Sequence, residues 1–192
     1  MKTADKFTLA RVILAPVFFA VYVIPVWTGR GYALSVCVMI PLLIAAECTD
    51  FLDGYFARRL KEGSDFGKLF DPFADVLLHL SAFACFTLSG YMPPVVFMLI
   101  IYREFAMSFM RLAAMQKGVV IAARKGGKAK TAAYVISALY MLSLESAARL
   151  GFPAPINSAY RCVALVLCLV CACAAYASFF EYIFHFKSLI GK

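Results

Sequence analysis

Long apolar stretches leave this chain few folds to adopt. Six can be drawn, at roughly 7–28, 33–59, 70–90, 94–116, 129–149 and 159–186. A transmembrane helix needs about 20 largely apolar residues, and each stretch has that reach. Hydrophobic residues make up 64% of the chain and charged residues only 16%, against about 45–50% and about 25% in soluble domains. The expectation is an all-α integral membrane protein with six transmembrane helices, built as a single domain over residues 1–192. The first apolar run is too long for a signal peptide and contains Arg11, so it reads as a retained span.

The charges are not spread evenly between the two sets of connecting loops. One set, with both termini, carries Lys2, Lys6 and Arg11; Arg58, Arg59, Lys61 and Lys68; Lys117, Arg124, Lys125, Lys128 and Lys130; and Lys187 and Lys192. The other set carries only Arg30, Arg149 and Arg161. Basic loops stay on the cytoplasmic side, which predicts a multi-pass cell-membrane protein with both termini cytoplasmic. The net charge of +8 suits anionic lipid and phosphate-bearing substrates rather than nucleic acid. The seven cysteines fall in apolar segments without framework spacing and read as packing residues.

Against this background the stretch DFLDGYFARRLKEGSDFGKLFDPFAD, residues 50–75, stands out. Asp50, Asp53, Asp71 and Asp75 recur at helical offsets, with Gly54, Ala57, Arg58 and Gly67 between them. On an α-helix, positions 50, 53, 54, 57 and 58 fall within roughly 140° of one another. Asp71 and Asp75 also share a face. A single Asp pair is ordinarily a helix cap or a solvated face. Two pairs interleaved with small residues and beside membrane segments point to a site, because charge near membrane depth is costly. A short loop can fold the second helix back onto the first and converge four carboxylates. Such a set requires protons or cations to offset it. Its hard oxygens suit Mg2+, Mn2+ or Ca2+ better than zinc.

The spacing D-x2-D-G-x2-A-R-x8-G-x3-D-x3-D resembles the signature of the CDP-alcohol phosphotransferase family, and all eight of its fixed positions are filled here. The resemblance implies an integral membrane enzyme that displaces CMP from a CDP-linked lipid with an alcohol. It implies Mg2+ (or Mn2+) held by Asp50, Asp53, Asp71 and Asp75, with Asp75 as general base. It also implies CDP-lipid contacts from Asp5, Thr8, Gly54, Ala57, Arg58, Ser64 and Gly67. Asp5-x2-Thr8-x2-Arg11 is similar to the family's N-terminal segment, although the family has Asn at the first position. Arg103-Glu104, Ser108, Arg111, Gly118, Ala122 and Gly127-Lys128-Ala129-Lys130-Thr131 resemble the phosphatidylglycerophosphate synthase branch. Val76 stands where that branch usually has Lys.

In that branch Arg103, Arg111, Lys128 and Lys130 would hold the phosphate of sn-glycerol 3-phosphate, the acceptor for CDP-diacylglycerol. Guanidinium and ammonium groups suit a dianionic phosphate. Arg103 has an alternative, a plain ion pair with Glu104 or Glu47. The family also implies a homodimer. Three other readings remain open at this point: another member, such as a phosphatidylinositol-phosphate synthase, a divalent-cation transporter, and a noncatalytic membrane scaffold. His79, Glu145 and Glu181 have no evident role in sequence.

Overall fold

In the computed structural model, secondary structure is described for residues 3–60, 65–116, 125–152 and 158–190, and side chains for 8–49, 70–116, 126–152 and 159–184. These residues form six helices: α1 (Thr3–Thr28), α2 (Tyr32–Leu60), α3 (Asp65–Leu88), α4 (Pro94–Gln116), α5 (Lys125–Arg149) and α6 (Ser158–Ile190). No strand occurs among the described residues. Five helices are long and apolar enough to cross a membrane: α1, α2, α3, α5 and α6. The expected sixth span, α4, has the length, 23 residues, but carries Arg103 and Glu104 near its middle and Arg111 towards its end. Its charged pair is buried against neighbouring helices, so full charges and a deep interior position coexist.

The helices pack as two groups. α1 lies chiefly on α3 and α2, and α6 lies chiefly on α5 and α4. Contacts of α3 with α4 and α5, and of α2 with α5, join the groups. The seam between them is filled by Phe83, Phe86, Met92, Tyr134, Met141 and Cys168, all buried. Large apolar side chains such as Ile13, Trp27, Leu34, Phe109, Val166 and Phe184 face outward, as lipid contact demands. All seven cysteines are free thiols; Cys85, Cys168 and Cys171 are buried, and the other four are exposed.

The start of α5 differs from expectation, since the helix already includes Gly126, Gly127 and Lys128. Glycine lowers helix propensity, but at Gly126 the missing side chain lets α5 approach α6: a Cβ there would run into the Glu181 carboxylate and lie 3.4 Å from the Ser178 Cα. Small residues at such crossings are a common device of membrane helices. At the opposite end, α3 and α5 stop in the same way. Gly90 and Gly151 take positive φ, 76° and 81°. Tyr91 and Phe152 then donate back to the Phe86 and Ala147 carbonyls, a Schellman closure.

That opposite end is tied by Arg149, the last residue of α5. Its Nε donates to Glu145 at 2.7 Å, Nη1 to the Ser35 hydroxyl at 2.7 Å and Nη2 to the Tyr22 carbonyl at 2.9 Å. The guanidinium also lies 4.4 Å from the Tyr22 ring centroid. Tyr22 shares a hydrogen bond with Ser89, just past α3. One cation therefore links α1, α2 and α5, and Tyr22 carries the connection to α3. Glu145 gains a role as the counter-ion. Removing one partner of a buried pair leaves the other uncompensated, so Arg149→Met should destabilise the protein by about 3–5 kcal/mol, read as a lowered Tm in detergent.

Candidate functional site

The acidic stretch lies where α2 ends and α3 begins. Asp50, Asp53, Gly54, Ala57 and Arg58 belong to the last turns of α2, and Gly67 to the first turn of α3. Their side chains lie outside the described residues, as do Ser64 altogether and the side chain of Asp5 in α1. The second acidic pair is described. Asp71 and Asp75 stand one turn apart on α3, where a 100° step per residue aligns them. Among the described residues alone, no three or more His, Cys, Asp or Glu side chains gather as a metal centre.

Thr8 on α1, fully buried, donates its hydroxyl hydrogen to Asp71 Oδ1. Arg11 follows one turn later, only 1% exposed, and its charge acts on Asp75, as does that of Lys130. Two helices, α1 and α5, thus bear on the described acids of α3. The Thr8–Asp71 pair spans 63 positions of sequence and could not be read from it. Arg11 was discoverable: Thr-x-x-Arg spacing on a helix puts both side chains on one face.

The basic residues divide into two settings. Arg103, Glu104 and Lys130 form a buried cluster. Glu104 accepts from Arg103 Nη1 at 3.0 and 2.9 Å, from Lys130 Nζ at 2.9 Å and from the Tyr134 hydroxyl at 2.8 Å. Arg103 Nε donates to the Ala175 carbonyl at 2.8 Å and Nη2 to Ser178 at 3.0 Å. The alternative pairing with Glu104 is therefore realised, and it ties α4 to α5 and α6. Lys130 Nζ also lies 4.7 Å from the Tyr134 ring centroid. Tyr134 was missed in sequence, although it follows Lys130 by four residues and so shares its face.

Arg111 is set apart from this cluster. It lines an apolar groove of about 390 Å³ between α3 and α4, with Phe70, Phe73, Phe105, Ser108 and Phe109. Its guanidinium carbon lies 6.0 Å from the Tyr182 ring centroid, and its Nε is buried without a hydrogen-bond acceptor among the described residues. Lys128 is exposed near the start of α5. Arg103 and Lys130 are thus brought together, while Arg111 and Lys128 occupy separate positions at the same end of the helices.

Apolar helices with acidic and basic side chains gathered at one end have the build of an integral membrane enzyme acting on charged headgroups. The family model for CDP-alcohol phosphatidyltransferase matches residues 1–179, and the chain belongs to that family. It is 37% identical over 200 residues to a CDP-diacylglycerol--glycerol-3-phosphate 3-phosphatidyltransferase of Treponema pallidum (strain Nichols), covering 100% of this chain and 92% of that one. A protein of the same name from Bacillus subtilis (strain 168) is 36% identical over 144 residues, covering 72% and 75%. One from Arabidopsis thaliana, numbered 2 in its name, is 34% identical over 150 residues, covering 71% and 62%.

Because Glu104 neutralises two buried cations, Glu104→Ala should destabilise by about 3–5 kcal/mol, measured as thermal unfolding in detergent. Glu104→Gln, which keeps an acceptor for Lys130 and Tyr134, should lose less.

Proposed function

We propose that this protein transfers the phosphatidyl group of CDP-diacylglycerol to the primary hydroxyl of sn-glycerol 3-phosphate, releasing CMP and forming phosphatidylglycerophosphate. The observation that carries the reading is the 37% identity, over the full length of this chain, to a relative named for that reaction. The filled acidic signature agrees with it. So does the basic cluster on α4 and α5, because a phosphorylated acceptor needs cationic donors, which an uncharged alcohol does not.

The donor set fits a hard divalent cation. Asp71 and Asp75 share a face of α3, and carboxylate oxygens suit Mg2+ or Mn2+. Asp50, Asp53, Asp71 and Asp75 would hold it. When bound, such an ion offsets the pyrophosphate charge and polarises the phosphorus under attack. Thr8 holds Asp71 by its hydroxyl. Arg58, Ser64, Asp5 and the small residues Gly54, Ala57 and Gly67 would bind the CDP end of the lipid. Asp75 would take the proton from the acceptor hydroxyl as its oxygen bonds to phosphorus and the bond to CMP breaks.

Arg111 and Lys128 would grip the acceptor phosphate directly. Lys130 carries three N–H donors, one of which goes to Glu104, and would reach the same phosphate. Arg103, anchored to Glu104, would add its charge from behind. The phosphotransfer face would be cytoplasmic, the whole chain would act as one domain with α4 as its sixth span, and two copies would associate as a homodimer.

Labelled CDP-diacylglycerol offered with each alcohol in turn tests the acceptor. Glycerol 3-phosphate should release CMP; release only with inositol phosphate or another alcohol would overturn the assignment. Asp75→Asn should lower kcat by about 10²–10⁴, the range for loss of a general base, and Asp71→Asn should lower it strongly too, both with unchanged expression. Arg111→Ala removes a charge-assisted contact worth about 1.5–3 kcal/mol. It should therefore raise KM for glycerol 3-phosphate roughly 10- to 100-fold while leaving KM for CDP-diacylglycerol unchanged.

A further inference from the structure

His79 belongs to no part of the acidic signature, yet it is buried against it. It follows Asp75 by one turn of α3 and is 2% exposed. Its Nδ1 lies 2.9 Å from the Asp75 carbonyl oxygen and 3.3 Å from the Asp75 carboxylate oxygen Oδ1. A carbonyl oxygen only accepts, so Nδ1 carries the hydrogen and presents it to both Asp75 oxygens. On the other side of the ring, Nε2 lies 3.4 Å from Oε1 of Glu47. Aromatic rings fix the imidazole plane: Tyr134 meets it edge-on at 5.6 Å and Phe83 at 6.3 Å between centroids.

The position of Glu47 gives this contact its meaning. Glu47 is on α2, one turn before Asp50, so it sits at the head of the first acidic pair. The chain Glu47–His79–Asp75 therefore crosses from the helix that carries Asp50 and Asp53 to the helix that carries Asp71 and Asp75. A packing role alone would need only the ring. Burying a polar heterocycle between aromatic side chains is unfavourable unless its nitrogens find partners; Nδ1 has the Asp75 carbonyl, and Nε2, which makes no hydrogen bond among the described residues, has the Glu47 carboxylate at ion-pair distance. Carboxylates that hold metals are commonly oriented in this way by a second layer of polar contacts.

We propose that His79, backed by Glu47, is a positioning residue that sets the orientation of the Asp75 carboxylate and the spacing of the two acidic helices, and so tunes divalent-cation binding. This rests on the reading of Asp75 as part of the cation site. The test uses the purified full-length protein in detergent. Mn2+ binding is followed by electron paramagnetic resonance, with kcat and both KM values measured alongside.

His79→Phe keeps the ring packed against Tyr134 and Phe83 and deletes both nitrogens. It should weaken Mn2+ binding by about 10- to 100-fold, the effect of losing an outer contact, and lower kcat while KM for glycerol 3-phosphate stays unchanged. His79→Asn, whose amide can donate from near the Nδ1 position, should recover much of the Mn2+ affinity. Glu47→Gln should weaken Mn2+ binding by less than His79→Phe. Unaltered Mn2+ affinity and kcat in His79→Phe would overturn the proposal. Should that variant not fold, unaltered Mn2+ affinity and kcat in His79→Leu, which also lacks both nitrogens, would overturn it equally. Asp71→Asn separates the underlying reading: if it binds Mn2+ as tightly as the unsubstituted protein, the acids are not the ligands, and the inference falls for that reason rather than through His79.

Discussion

A charge buried among apolar helices persists only when an opposite charge and enough hydrogen bonds accompany it. That constraint organises this structure. Glu104 accepts from three side chains on two helices, and Arg103 spends its remaining donors on a carbonyl and a hydroxyl of α6. Neither group could occupy its place without the other. The arrangement also decides where α4 stands: a helix too charged to resemble an ordinary span is drawn inward by the partners that α5 and α6 offer it.

The same requirement shapes the acidic end. Asp71 meets a hydroxyl from α1, and Asp75 has His79 beside it and the charges of Arg11 and Lys130 nearby. Cationic and hydrogen-donating groups thus surround the described acids even before substrate or cation arrives. Lys130 belongs to both settings, bonded to Glu104 and acting on Asp75. The buried basic cluster and the acid groups are thereby coupled through one ammonium.

Much of this was legible in the sequence. The boundaries of α4 and the end of α5 match the apolar segments, and the helical offset of Asp71 and Asp75 is local geometry. What escaped was tertiary. Nothing near Thr8 announces Asp71, because the pairing follows from α1 lying on α3. Arg103 reads either as a ligand for a substrate phosphate or as a partner of an acid, and in the structure its side chain stands on Glu104. Sequence alone does not say whether a membrane arginine faces a partner helix or a ligand. The fifth apolar segment starts at 129, yet α5 already begins at Lys125, because propensity is blind to a neighbour that needs the space a Gly126 side chain would fill. Glu145, by contrast, was discoverable: Arg149 follows it by four residues on the same helix.

The knot around Arg149 fixes α1, α2 and α5 at the end remote from the acids, and Tyr22 extends it to the terminus of α3. Rods fastened together at one tip can part only at the other. Any angular motion of these helices would therefore be least at the knot and widest some 20 residues away, at roughly 1.5 Å of rise per residue. A small tilt at the knot would become ångströms at the acidic end, where the Thr8 hydroxyl on Asp71 ties α1 to α3.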